Sequence, residues 1–391
     1  RSAEAGQSTF TSPEAAARAI RYRWEYTRNR ELLTQTPPRM ELPSLDPPQV
    51  ARSLHQHLGD GSDSSPGAAL ELLRAYGLER ALRVGSRAVV LQLRLERHRE
   101  LGMHLRLQAP GCGPMTPVAH GFVPLDALLA RRLLQAAGLR VETTSDTATE
   151  PGLSARTFAA AEVALVRLAQ IAMDQPLVER LDLELILRSG KALVGKTPRV
   201  LLTPGPAPER ERLALAPYPA ALAHTVVLGE HAAYAVRPVR PEDEPAVIDL
   251  MESLDADSIR LRFFAYIRYF SHAMAARMTQ IDYDRELALV VHDADGAGRM
   301  HAIGTLIADP DGASAEFALL VHQDRVRHGL GRHLLLQFIE HARRSGLERL
   351  WGVVLVENRA MLGLAHSLGF VARADPQEKG CRRVELSLKT P

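Results

Sequence analysis

The segment Arg325-Val326-Arg327-His328-Gly329-Leu330-Gly331-Arg332 constrains this chain more than any other stretch. It follows an apolar run at 314–321 and opens a long amphipathic pattern at 329–345. Glycines at a strand-to-helix turn let the backbone approach a ligand closely, and the free N–H groups of a first helical turn form an anion site. A Walker loop is excluded, because no GxxxxGK[ST] occurs, and Leu334 stands where a dinucleotide fingerprint needs its third glycine. Around this turn the periodicity predicts a hairpin over 225–239, then helices at 242–253 and 272–279 with a less regular one between. Strands follow at 286–292, 300–308 and 314–321, then the helix at 329–345, a strand at 349–356, a helix at 358–367, and strands near 370–374 and 382–388. The expected fold class is α/β (α+β), a mixed sheet with helices packed against it.

Upstream, Ser12-Pro13-Glu14 starts a capped helix that runs to about Thr34. Residues 40–65 carry Pro43, Pro47, Pro48 and Gly59-Asp60-Gly61-Ser62-Asp63-Ser64-Ser65, which is linker chemistry. A short helix over 66–76 closes at Gly77. Leu91, Leu93 and Leu95 alternate with Gln92, Arg94 and Glu96, and Met103, Leu105 and Leu107 with His104, Arg106 and Gln108, as half-buried strands with a solvated face do. Helical patterns cover 125–137 and 155–173, and strands 180–188 and 191–202 flank a Ser189-Gly190 turn. Thr203-Pro204-Gly205-Pro206-Ala207-Pro208 marks the clearest boundary. Asp182 and Glu184 share one face of their strand. As oxygen ligands they suit Mg²⁺, but an exposed acidic edge is the plainer reading.

The length of 391 residues suits two or three domains. Lys plus Arg (48) nearly cancel Asp plus Glu (46), so no global field recruits nucleic acid or an anionic membrane. The apolar run at 287–291 is far short of the ~20 residues that span a bilayer, and no charged-then-apolar leader is seen. Only Cys112 and Cys381 occur, so a reducing cytoplasm is expected and a cysteine metal site is not. His322, His328, His333 and His341 lack HExxH spacing, so no metal is expected there. The chain opens on Arg1-Ser2 without a methionine, as a piece of a longer protein does.

Together with Val356-Glu357-Asn358 and Ser367-Leu368-Gly369-Phe370, the glycine turn resembles the acetyl-CoA site of the GNAT superfamily of N-acetyltransferases. Ala216-Pro217-Tyr218-Pro219, Val236-Arg237-Pro238-Val239-Arg240-Pro241-Glu242-Asp243, Arg262-Phe263-Phe264, the run Thr279-Gln280-Ile281-Asp282-Tyr283-Asp284-Arg285-Glu286 and Ala315-Glu316-Phe317-Ala318 narrow the resemblance to bacterial Pat-type protein lysine acetyltransferases. That likeness covers about 213–391. Family members carry this domain behind a part similar to an ADP-forming acyl-CoA synthetase ending in an ATP-grasp fold. The resemblance therefore implies a helical joining segment and linker over 1–65, a degenerate ATP-grasp-like module over 66–203, a linker over 204–224 and a GNAT domain over 225–391. Asp182-Leu183-Glu184-Leu185 stands where that module's Asp-x-Asn-Pro metal motif belongs.

The resemblance implies acetyl-CoA as acyl donor, held by Phe317, Leu319, Val321, Arg327, His328, Gly329, Gly331, Arg332 and Asn358. One departure concerns the turn, which in the family begins with Gln or Arg followed by glycine and here reads Val326-Arg327. Glu316 is the implied catalytic base, since at pKa ~10.4 a free lysine costs about 4.6 kcal/mol to deprotonate at pH 7. Apolar neighbours should raise its pKa. Backbone N–H groups near Leu320 and Val321 would polarise the thioester carbonyl. The helix position where many GNAT enzymes have a thiolate-protonating Tyr reads Ala365, beside His366. Asp282, Asp284 and Glu286 suit either a lysine-bearing surface or solvated element ends. The implied partner is a protein substrate such as an acyl-CoA synthetase, with no nucleic acid and no membrane. The alternatives are an acetyl-CoA-binding regulator without turnover and a small-molecule amine N-acetyltransferase.

Overall fold

The computed structural model describes residues 12–34, 36–40, 42, 45–58, 66–81, 88–109, 117–142, 152–206, 208–228, 232–294 and 298–389. Cys112, Pro43, Ala207 and the 59–65 stretch lie outside the described residues. The chain divides into two compact units, Thr36–Pro219 in one, and in the other Ala220–Pro391 with helix α1 (Pro13–Thr34).

In the Thr36–Pro219 unit, α2 (Pro47–Gln56) occupies ground that the sequence suggested was linker. The Asp46 carboxylate accepts from Gln49 N–H at 3.2 Å and Pro47 takes the first helical position, so the prolines start a helix there instead of preventing one. Next come α3 (Pro66–Ala75) and the strands β1 (Val89–His98), β2 (Gly102–Gln108) and β3 (Val118–Phe122). Helix α4 (Ala127–Ala136), the short parallel pair β4 (Arg140–Val141) and β5 (Gly152–Leu153), and helix α5 (Ala155–Asp174) follow. The unit closes with β6 (Val178–Arg188), β7 (Lys191–Val194), β8 (Arg199–Leu202) and α6 (Glu209–Arg212). The strand expected over 191–202 is two strands, parted by Gly195-Lys196-Thr197-Pro198; both pair antiparallel with β6. The sheet order is β3-β2-β1-β6-β7, with β8 also on β6. Leu91, Leu93, Leu95, Leu105, Leu107, Leu181 and Leu185 are buried beneath α4 and α5. The alternate positions form the opposite face. Asp182 and Glu184 do share that face, but β6 is interior, bonded on both sides, so the acidic edge is corrected to a row on an open sheet face.

In the second unit an eight-stranded sheet runs in the order β15-β16-β14-β13-β12-β11-β10-β9. Its first elements are β9 (His224–Leu228), β10 (Ala232–Pro238), α7 (Glu244–Glu252), α8 (Ala256–Phe263) and α9 (His272–Thr279). Strands β11 (Glu286–Asp293), β12 (Met300–Ala308) and β13 (Ser314–Val321) lead into α10 (Leu330–Arg344). Then come β14 (Arg349–Leu355), α11 (Arg359–Ser367), β15 (Val371–Ala374) and β16 (Cys381–Ser387). The middle of β11, 287–291, is apolar because both its faces are covered. Leu287, Leu289 and Val291 join a cluster with Leu334 and Phe338 of α10, while Ala288 and Val290 join one with Val247, Leu250 and Met251 of α7.

Candidate active site

The sheet parts at one place. β13 pairs antiparallel with β12 along its whole length, from Ala308↔Ala315 to Ala302↔Val321. With β14 it pairs in parallel only at Ser314↔Arg349, Ala315↔Leu350 and Glu316↔Trp351. Beyond Glu316 the two strands diverge, so the backbone of 317–321 that faces β14 has no strand partner. Gly352 lies at the vertex: a Cβ there would stand 3.0 Å from the Phe317 ring and carbonyl, so any other residue would press β14 away from Phe317. The result is a V-shaped cleft with Glu316 on its last closed rung.

Glu316 is half-buried on the face that carries α8, together with Trp351, its cross-strand neighbour. Burial is the largest influence on its carboxyl and pushes it above the usual carboxylate range. The guanidiniums of Arg262 and Arg383 work against that rise, and Asp309 and Asp375 add to it. The Arg383 guanidinium lies 3.7 Å from the centre of the Trp351 ring. Trp351 Nε1 donates to Asp309 Oδ2 at 2.9 Å. Sequence reasoning gave no role to Arg262, Asp309, Trp351, Asp375 or Arg383, which come from α8 and from three separate stretches of the later chain. The available signals were Arg262 standing in a quoted motif and Trp351 being one of only two tryptophans.

The far end of the cleft is the glycine turn. After a single 3₁₀ turn at Gln323–Arg325, Arg327 adopts φ +69° and Gly329 φ +89°, and Gly329 caps α10 without any side-chain bond. The first helical bond is His333 N–H to Gly329 O at 2.9 Å, which leaves the N–H groups of Gly329, Leu330, Gly331 and Arg332 free. Arg325, Arg327, His328 and Arg332 flank them in sequence. A Cβ on Gly331 would stand 3.5 Å from Leu364 and 3.8 Å from Val321, so this turn sits on α11 and on the end of β13. Arg332 Nη1 donates to Ser367 Oγ at 3.1 Å. Asn358 caps α11, its Oδ1 accepting from Met361 N–H at 3.0 Å, and its amide NH₂ has no partner among the described residues.

The structure thus brings Glu316, the 317–321 backbone, the glycine turn and Asn358 to the borders of one cleft. Phe317 contributes only main chain, because its ring is buried against Phe370 at 5.3 Å between centroids. Leu319 and Val321 are half-buried on that same side. Ala365 is buried and His366 exposed on α11. Glu286 is held by Arg277 at 2.8 and 2.9 Å, and Asp282 Oδ1 accepts from Asp284 N–H at 3.0 Å, so both serve local structure. Among the described residues no group of three or more His, Cys, Asp or Glu side chains suits a metal ion. No helix among them is long and apolar enough to cross a membrane.

Residues 255–370 match the acetyltransferase (GNAT) family. An acetyltransferase of Pseudomonas aeruginosa, PA5475, is 32% identical over 145 residues, 37% of this chain and 77% of that protein. The chain belongs to the GNAT family and is an N-acetyltransferase. Among solved structures, the GNAT domain of S. lividans PAT is 25% identical and covers 44% of this chain and 99% of its own, with a TM-score of 0.40. Spermidine N-acetyltransferase from Vibrio cholerae, solved with CoA and spermine, is 19% identical, covering 40% and 95%, with a TM-score of 0.34.

Proposed function

We propose that this protein transfers acetyl groups from acetyl-CoA to lysine side chains of a folded cytoplasmic protein, with an acyl-CoA synthetase as the target class. The observation that carries the reading is the half-buried Glu316 carboxyl on the last closed rung between β13 and β14, its pKa raised by burial. The residues present fit the donor: open backbone along 317–321 suits an amide-bearing arm, and the free N–H groups at 329–332 with their cationic neighbours suit a diphosphate. Bound acetyl-CoA supplies an activated acyl carbon and a leaving thiolate that, with a thiol pKa of ~8.5, departs without a strong acid.

Within that frame Glu316 takes the proton from the incoming ammonium or amine, directly or through one water. A carboxyl with a raised pKa is a stronger base. Asp309 and Asp375 draw a cationic lysine to the same place, while Arg262 and Arg383 disfavour the ammonium once it arrives. Backbone N–H groups near Leu320 and Val321 stabilise the developing oxyanion. The Pat-type motifs quoted above support a protein substrate, and the family's domain order supports reading 66–203 as a degenerate ATP-grasp-like module that regulates or recruits.

The test incubates the full chain with acetyl-CoA and a folded acyl-CoA synthetase and maps modified lysines by mass spectrometry, with spermidine as a parallel acceptor. Site-specific lysine labelling by the wild type and its loss in Glu316→Gln are expected. Rapid spermidine acetylation without protein labelling would make it a small-molecule enzyme. Donor binding with no product on either acceptor would make it a regulator.

A further inference from the structure

The open face of the β1–β2–β6 sheet carries a groove of about 510 Å³ with four arginines in its wall, Arg94, Arg106, Arg180 and Arg199. Strand register explains the clustering. Arg94 stands opposite Arg106 on one side and Asp182 on the other, and Asp182 opposite Arg199, so one polar row crosses four strands. The next rung reads Gln108, Gln92 and Glu184. Like charges directly opposite in an antiparallel pair destabilise it, and the Arg94–Arg106 pair is such a case.

The acids present do not neutralise this row. Asp182 accepts from Arg94 Nε at 2.6 Å and lies 3.0 Å from Arg180 Nε, so one carboxylate serves two guanidiniums. Among the described residues no side chain pairs with Arg106 or Arg199. Asp182, already committed to two arginines, is no ligand for Mg²⁺ either. Glu184 is exposed, and Glu96, opposite Arg180, lies 4.0 Å from Arg94 Nη1, so four arginines meet three acids. The lining carries no aromatic ring on which a nucleobase would stack. Its volume is that of a small-molecule site, and its walls offer guanidinium forks and carboxamides.

We infer that this groove binds a small, hydrophilic polyanion bearing two or more oxyanion groups, held without a metal by Arg94, Arg106 and Arg199. Guanidinium forks bind phosphate and carboxylate alike. The two sources are separated by the probes, inorganic pyrophosphate and citrate.

The experiment is calorimetric titration of each probe into the full chain with coenzyme A present in excess, so that the turn before α10 is already filled. One probe bound per chain is expected, weakening as salt rises. Tighter pyrophosphate binding assigns a phosphorylated ligand and tighter citrate binding a polycarboxylate. Arg106→Gln with Arg199→Gln should weaken binding by about tenfold per guanidinium, the scale of one charge-assisted hydrogen bond. Glu184→Gln should tighten binding, a gain that misfolding does not produce. No heat from either probe with wild type, or equal affinity in the double arginine variant, overturns the inference.

Discussion

Replacing Arg327 by glycine, alanine or lysine separates two opposed effects at the mouth of the cleft. Arg327 holds φ +69°, a left-handed conformation that costs an L side chain about 1–2 kcal/mol. Glycine removes that cost but adds about 0.5–1 kcal/mol of unfolded-chain entropy, so a net gain of about 0.5–1 kcal/mol is expected. For a unit of this size that is a rise of about 1–4 °C in Tm. Alanine keeps the strain and gains nothing. Arg327 is also exposed and lies two residues before the first free N–H group of α10 in the chain. Its removal in either small variant should raise donor KM about two- to fivefold, the solvent-screened value of one exposed charge pair. Lysine should leave both properties near wild type. Differential scanning calorimetry and donor-varied initial rates are the assays. Equal stability of the glycine and alanine variants would refute the strain argument, and unchanged KM in the alanine variant would refute the charge argument.

Gly352→Ala forces a methyl to 3.0 Å from the Phe317 ring and carbonyl, so a loss of about 1–3 kcal/mol is expected in urea unfolding, together with a fall in kcat. Arg262→Gln removes a cation that holds the Glu316 carboxyl down, so the acid limb of the rate profile should move to higher pH. His333 has its pKa lowered by burial first and then by His224, whose Nε2 lies 2.8 Å from its own. A group depressed in the folded state contributes stability above its unfolded pKa and loses it as pH falls through the folded one. Wild type should therefore lose more Tm than His333→Gln between pH 7.5 and about 5.5, below the ordinary histidine pKa of ~6.5.

The strands at 286–292, 300–308 and 314–321 were legible because the alternation and the buried run of β11 each leave a direct mark in composition. The glycine turn and Glu316 were legible because their chemistry is contiguous in the chain. Helix α2 was not, since Asp46-Pro47-Pro48 reads as punctuation until one sees which side of it carries the helix. The split of 191–202 was missed although Gly195 and Pro198 stand inside it. The groups that tune Glu316 were missed for a different reason. Period two says that Glu316 and Ala318 share a face, but not that Arg262, Arg383 and Trp351 converge on it, because long-range pairing sets those neighbours.

The most direct test is the pH dependence of single-turnover acetyl transfer by wild type and Glu316→Gln with donor saturating. The account expects the wild-type rate to fall on the acid side through one ionisation above the usual carboxylate range. It expects the variant to be slower by about a hundredfold or more, with that limb gone and donor affinity unchanged. A wild-type profile that survives intact in Glu316→Gln would contradict it.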